Sequence, residues 1–202
     1  MKIWAILVRV LAAIALVAYP AFVWIGLSSG SPRQVAIVLL CVMVPAMLFR
    51  AGKGNAPKNV RGLAAVPATI LLILVVAALL DGSEYILATP VATNVVLLLS
   101  FGITLRPGSM PMIERFARLQ EKELDRDKQA WCRMWTWIWC AFFVANGTTA
   151  ALLAIFADMK WWALYNGLLC YALIGSLFAI EWLLRRVRFP DVRKRKTPDE
   201  TA

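Results

Sequence analysis

Apolar residues in this chain come in long blocks, separated by short clusters of charge, Gly and Pro. A helix needs about 20 such residues to cross a hydrocarbon core roughly 30 Å thick, because in lipid each backbone polar group must bond within its own segment. Six blocks meet or approach that length: residues 3–27, 35–49, 63–80, 85–105, 135–156 and 161–184. The pattern predicts an all-α fold, an integral membrane bundle of six transmembrane helices filling 1–184, followed by a basic cytoplasmic tail at 185–202. The first block is long, ends in the aromatics Phe22 and Trp24 and has no small-residue cleavage site, so it reads as a retained span rather than a signal peptide.

Two blocks depart from plain hydrophobicity. The second is short, carries Pro45 and is predicted to extend back toward Ser31 and Pro32 or to cross a thinned bilayer. The fourth carries Thr89, Pro90, Thr93, Asn94, Ser100 and Thr104, which predicts a helix facing other protein, kinked at Pro90 and stopped by Arg106-Pro107-Gly108. The third, by contrast, is polar-free apart from Thr69 and reads as lipid-facing over much of its surface.

Between the fourth and fifth blocks, over 106–134, the period changes. Ile113, Phe116, Ala117, Gln120 and Leu124 recur at helical spacing, with Arg115, Arg118 and Lys122 on other faces. This predicts a cytoplasmic amphipathic helix near 110–124, laid along the inner leaflet with its basic residues at headgroups. The acidic run from Glu121 to Asp127 argues against deep insertion. Trp131, Trp135, Trp137 and Trp139 mark an interface at the start of the fifth span, as Trp161, Trp162 and Tyr165 do at the sixth. The short link 157–160 makes the last two spans an antiparallel hairpin, and no internal repeat supports a transporter-like inverted pair.

Charge then orients the bundle. The loop after the second block holds Arg50, Lys53, Lys58 and Arg61 with no acid, and residues 106–134 and 185–202 hold seven basic residues each. The alternate loops offer only Arg33 and Lys160, beside Asp81, Glu84 and Asp158. Positive residues stay inside, so both termini are expected in the cytoplasm of a bacterial inner membrane, and the net charge of +10 is mainly an orientation signal. The run Arg193-Lys194-Arg195-Lys196, directly after a span, is expected to meet lipid headgroups rather than nucleic acid.

Candidate chemistry is sparse. The chain has no histidine, which excludes Ser-His-Asp and Cys-His catalysis, haem on a His ligand and His-based metal centres. Cys41, Cys132, Cys140 and Cys170 show no CxxC spacing and read as small apolar residues. Gly52-x-Gly54 lacks the rest of any nucleotide motif, and no catalytic residue, metal or cofactor is expected.

The remaining candidates are polar groups inside spans. Arg9 and Glu181 lie at similar depth near the cytoplasmic side and either pair with each other or act separately, Arg9 snorkelling and Glu181 bonding Arg185. Asn94 and Asn146 stand near the middles of the fourth and fifth spans, with Thr93, Thr148 and Thr149 beside them, as interhelical glue or as a site for a ligand headgroup. Asn166 with Gly167, after Trp161, Trp162 and Tyr165, is a further headgroup candidate.

The C-terminal half carries a resemblance. Phe101-Gly-x-Thr-Leu-Arg-Pro-Gly108, Pro111, Ile113, Arg115-Phe-Ala-Arg118, Trp137-x-Trp-Cys-x-Phe-Phe143, Trp161 and the closing Glu181-x-x-x-Arg-Arg-x-Arg-Phe-Pro190 are similar to a family of uncharacterised bacterial inner-membrane proteins. Members of that family are encoded beside aryl-polyene and xanthomonadin-type, fatty-acid-synthase-like gene clusters. Asn166 stands for the Asn that follows the family's last-span Trp, while Trp182 occupies a place where a Tyr is usual. The resemblance implies a setting, the making or export of a polyene lipid, and leaves the reaction open.

The expected function is therefore a non-enzymatic accessory protein that binds or presents a lipid or acyl intermediate. Arg106, Arg115 and Arg118 would contact a phosphate or an acidic acyl carrier protein, and membrane lipids are the expected partners. The alternatives are a structural subunit packed among other membrane subunits and a His-independent enzyme using Glu181 or a cysteine.

Overall fold

The structure, a computed structural model, describes residues 23–28, 30–52, 65–121 and 123–189, with the backbone alone over 45–52. Arg9, most of the first predicted span, the loop at 53–64 and the tail from 190 lie outside the described residues.

Every regular element among the described residues is helical. After a helical stretch at 23–28 come α1 (Pro32–Gly52), α2 (Ala65–Leu80), α3 (Ser83–Leu87) and α4 (Thr89–Gly102), which runs on through a 3₁₀ turn at Ile103–Leu105. Then follow α5 (Met112–Ala117), α6 (Arg126–Phe156), α7 (Met159–Leu164), a π-helical turn at Tyr165–Leu169, and α8 (Cys170–Arg188).

Six spans was the expectation, but two helices among the described residues are long and apolar enough to cross a bilayer: Arg126–Phe156 and the continuous run Met159–Arg188. The other apolar helical stretches, Pro32–Val44, Ala65–Leu80 and Thr89–Leu105, are shorter. The fourth predicted span is broken for a physical reason. Pro90 has no backbone N–H to donate, so rather than kinking one helix it sits in the first turn of a new one that starts at Thr89, where that donor is not needed.

The segment 106–134 also differs from the prediction. Only Met112–Ala117 is helical before α6 begins at Arg126, eight residues ahead of the expected end of the segment. The predicted stripe does not lie free on a leaflet. Met112, Glu114, Ala117 and Leu124 are buried, and Ile113 and Phe116 pack against Phe101, Trp139, Cys140 and Phe143 of α4 and α6. A segment with apolar residues on more than one face gains more from folding back onto two helices than from lying on a surface with one face covered.

Three clusters hold the fold. One joins 23–28, α1, α2, α3 and α7 through Val23, Val35, Ala36, Leu74, Ala77, Ile86, Trp162 and Ala163. A second joins α4, α5 and α6, with Ile174 and Leu177 of α8 against it. The third seats Ala117 and Leu124 on Cys132.

Arg33, expected only as an orientation charge, fastens the α1–α2 hairpin. Its backbone N–H, at the start of α1, donates to the Asp81 side chain at 2.7 Å, and its guanidinium Nε donates to the Ala78 carbonyl at 2.9 Å, filling an acceptor that the end of α2 leaves open.

Candidate functional site

The predicted site residues fall into three places, all built on α6. The first is the loop that leaves α4. Pro107 and Gly108 form a tight turn, with the Ser109 N–H donating to the Arg106 carbonyl at 3.1 Å. Gly108 has φ +77°, a conformation that side chains rarely adopt, which is why Gly follows Pro here.

The loop is then pinned from α6. Arg133 donates to the carbonyls of Leu105 at 2.9 Å and Ser109 at 3.2 Å. The two first N–H groups of α5 have no capping side chain of their own and find threonines on the neighbouring helices. Met112 N–H donates to Thr104 Oγ1 at 2.9 Å, and Ile113 N–H to Thr136 Oγ1 at 3.3 Å. Both threonine hydroxyls in turn donate to the carbonyls of Phe101 and Cys132. Sequence reasoning missed this pinning; its only trace was two threonines inside apolar runs.

The arginines behave unequally. Arg118 donates through Nε and Nη2 to the same oxygen of buried Glu114, at 2.9 and 2.8 Å, and Arg115 Nε donates to the Met110 carbonyl at 3.0 Å, while Arg106 is exposed. Arg118 and Arg115 thus commit part of their donor forks to the loop itself. Beside them an open groove of about 590 Å³ runs between Gly108–Pro111, Glu114 and the Arg126, Gln129 and Arg133 face of α6.

The second place is the seam between α4 and α6, where Asn146 Nδ2 donates to Asn94 Oδ1 at 3.1 Å. Asn94 Nδ2 donates to the Pro90 carbonyl one turn back on the same helix at 2.8 Å, and the Tyr165 hydroxyl donates to Asn146 Oδ1 at 2.8 Å. The seam is close because Gly147 faces it: a Cβ there would stand 3.0 Å from the Cβ of Asn94. Asn166 is buried in the π-helical turn and donates to the Trp162 carbonyl at 2.9 Å. The π turn carries Tyr165 at its start, on the same stretch that reaches Asn146.

The third place is the seam between α6 and α8, crossed by two aromatic rungs. Trp139 meets Phe178 with ring centroids 4.7 Å apart, and Trp131 meets Phe189 at 5.8 Å. Ile174, Phe178, Glu181, Arg185 and Phe189 recur at helical spacing, so Glu181 and Arg185 lie on the strip of α8 between those rungs. Glu181 Oε1 makes a long ion pair with Arg185 Nη1 on its own helix at 3.8 Å, one of the two arrangements expected, and has no hydrogen-bond partner. The indole N–H groups of Trp131 and Trp135 are likewise buried without one.

Among the described residues the structure is thus all-helical, with two helices long and apolar enough to cross a membrane and a polar end at the start of α6. No protein family, curated protein or solved structure matches the chain.

Proposed function

We propose that this is a multi-pass inner-membrane accessory protein, with six spans and both termini cytoplasmic, that binds or presents a lipid or acyl intermediate. The observation that carries the reading is α8: no residue of Cys170–Arg188 is buried, although its exposed side chains include Leu173, Phe178, Ile180 and Leu183. At about 25 cal/mol per Å² such a surface is costly in water and costs nothing against acyl chains. The same helix ends in Arg185, Arg186 and Arg188, which suits headgroup level.

The polar groove beside Glu114, Arg126 and Arg133 supports a place for an anionic group at that end. An acidic acyl carrier protein fits the basic loop as a source of the acyl group. The polyene setting rests on the sequence resemblance alone.

Purification in mild detergent followed by mass spectrometry of co-purified lipids tests the reading. A defined, enriched lipid or acyl species is expected; bulk phospholipid alone would refute it. Topology has its own test in a background lacking native cysteines. A cysteine at Ser83 should react with an impermeant thiol reagent in intact cells, and one at Asn55 should not.

The exposed apolar face of α8 also favours a second reading, a subunit of a larger membrane complex. A native-size measurement separates the two, since a stable assembly with other proteins supports the second and a single protein carrying a tight cargo supports the first.

A further inference from the structure

Buried polar atoms are rarely left unpaired, because each forfeits its bonds to water and gains nothing in return. Among the described residues four buried side-chain polar atoms lack a hydrogen-bond partner, and three of them, Trp131 Nε1, Trp135 Nε1 and Glu181 Oε1, belong to residues of α6 and α8, Glu181 having in addition a long ion pair with Arg185 at 3.8 Å. The fourth, Trp162 Nε1, sits in a cluster of hydrocarbon side chains. Among the described residues only the seam combines donors and an acceptor that make no hydrogen bond.

The placement is specific. Trp131, Trp135 and Trp139 are one turn apart on α6, and the outer two touch Phe189, just past the end of α8, and Phe178 of α8. Trp135 therefore stands opposite the strip that carries Glu181 and Arg185. Cys132, beside it on α6, lies in the field of both those charges. Trp135 is 2% exposed and the Glu181 side chain 16%, so neither is reached freely by solvent.

An indole N–H needs an acceptor and a carboxylate oxygen needs a donor. A hydroxyl is both at once. Arg185, one turn nearer the basic end of α8, offers a cation a few ångströms away from that point. We propose that this seam binds a hydroxylated anionic lipid, its hydroxyl bridging Trp135 Nε1 and Glu181 Oε1 and its anionic group resting on Arg185 and the Trp131 N–H. The order matches the helix direction: the hydroxyl lies on the chain side and the anion on the basic side. The inference rests on the lipid-binding reading and specifies the ligand class for it.

The test compares two probes on the full-length protein in detergent: oleoyl lysophosphatidic acid, and the same molecule with its free hydroxyl replaced by hydrogen. A site built around a hydroxyl rejects the analogue lacking it, so the first should bind at least about tenfold tighter. Trp135→Phe, which keeps the ring and removes the N–H, and Glu181→Leu should each bring the ratio close to one. Should either variant fail to fold, as judged by gel filtration, Trp131→Phe is used to follow loss of affinity for both probes together.

A bridging water would satisfy the same atoms without choosing between probes. Equal binding by a wild-type protein that still co-purifies with a defined lipid overturns this site and leaves the lipid reading standing. Absence of binding by either probe, with only bulk phospholipid co-purified, overturns both. A wild-type ratio near one, together with coupled stability effects of Arg9→Gln and Glu181→Gln, assigns the carboxylate to Arg9 and likewise refutes the proposal. So does a ratio that Trp135→Phe leaves unchanged.

Discussion

The two seams of α6 use polar residues in opposite ways. Toward α4, Asn94, Asn146 and Tyr165 bond to one another and to the Pro90 carbonyl, and Gly147 brings the helices together. Toward α8, large rings stand between the helices, and one carboxylate oxygen and two indole N–H groups are buried without a hydrogen bond. A polar group that finds its partner across a seam is glue; one that does not is either strained or meant for something else. The candidate asparagines, read beforehand as glue or as a headgroup site, are thus accounted for by their own bonds. Glu181 is not.

Four substitutions would break or sharpen this contrast. The largest effect is expected for Gly147→Val, since its Cβ would already crowd the Cβ of Asn94, which cannot rotate away. Forcing extra carbons into a packed seam costs roughly 1–3 kcal/mol, and thermal unfolding in detergent should report it. A neutral result would mean that α4 and α6 are not in close contact.

Asn146→Leu should come next. It removes the bonds to Asn94 and Tyr165, and interhelical hydrogen bonds in membranes are worth about 0.6–2 kcal/mol. If the asparagines act as one pair, Asn94→Leu added to it should cost less than the sum of the single changes.

Arg118→Lys should cost about 1 kcal/mol or less. Lysine lacks the fork that places Nε and Nη2 on Glu114, yet it keeps the charge. The expected sign is loosening of the loop, seen as faster proteolysis between Leu119 and Asp125 with α6 intact. Unchanged proteolysis would show that the pair does not hold the loop.

The smallest effect should be Glu181→Gln, on the other seam. Its ion pair with Arg185 is long, 3.8 Å, and partly exposed, so losing the charge is expected to leave stability nearly unchanged. A marked loss of stability would place Glu181 among the structural residues and remove the contrast.

Much of the fold was legible in the chain, and the reasons can be named. Runs of apolar residues must be helical in a dry environment, so the positions of α1, α2, α4, α6 and α8 follow from hydrophobicity, and Pro107-Gly108 marks its turn by backbone chemistry alone. Asn94 and Asn146 were visible as polar residues at similar depth. What periodicity could not show is which faces meet, since that depends on the order of helices in space.

Tertiary contacts decided the rest. The stripe Ile113, Phe116, Ala117 is equally suited to a leaflet and to a groove between helices, and only the presence of Phe101, Trp139 and Cys132 at that place made it fold back. Thr104 and Thr136 became caps because α5 lands beside them, and Trp139 came to touch Phe178 because α8 returns antiparallel to α6. A sequence records which side chains carry donors, acceptors and hydrocarbon. Whether a given donor meets its acceptor is settled by partners dozens of residues away, and at the α6–α8 seam that meeting did not occur.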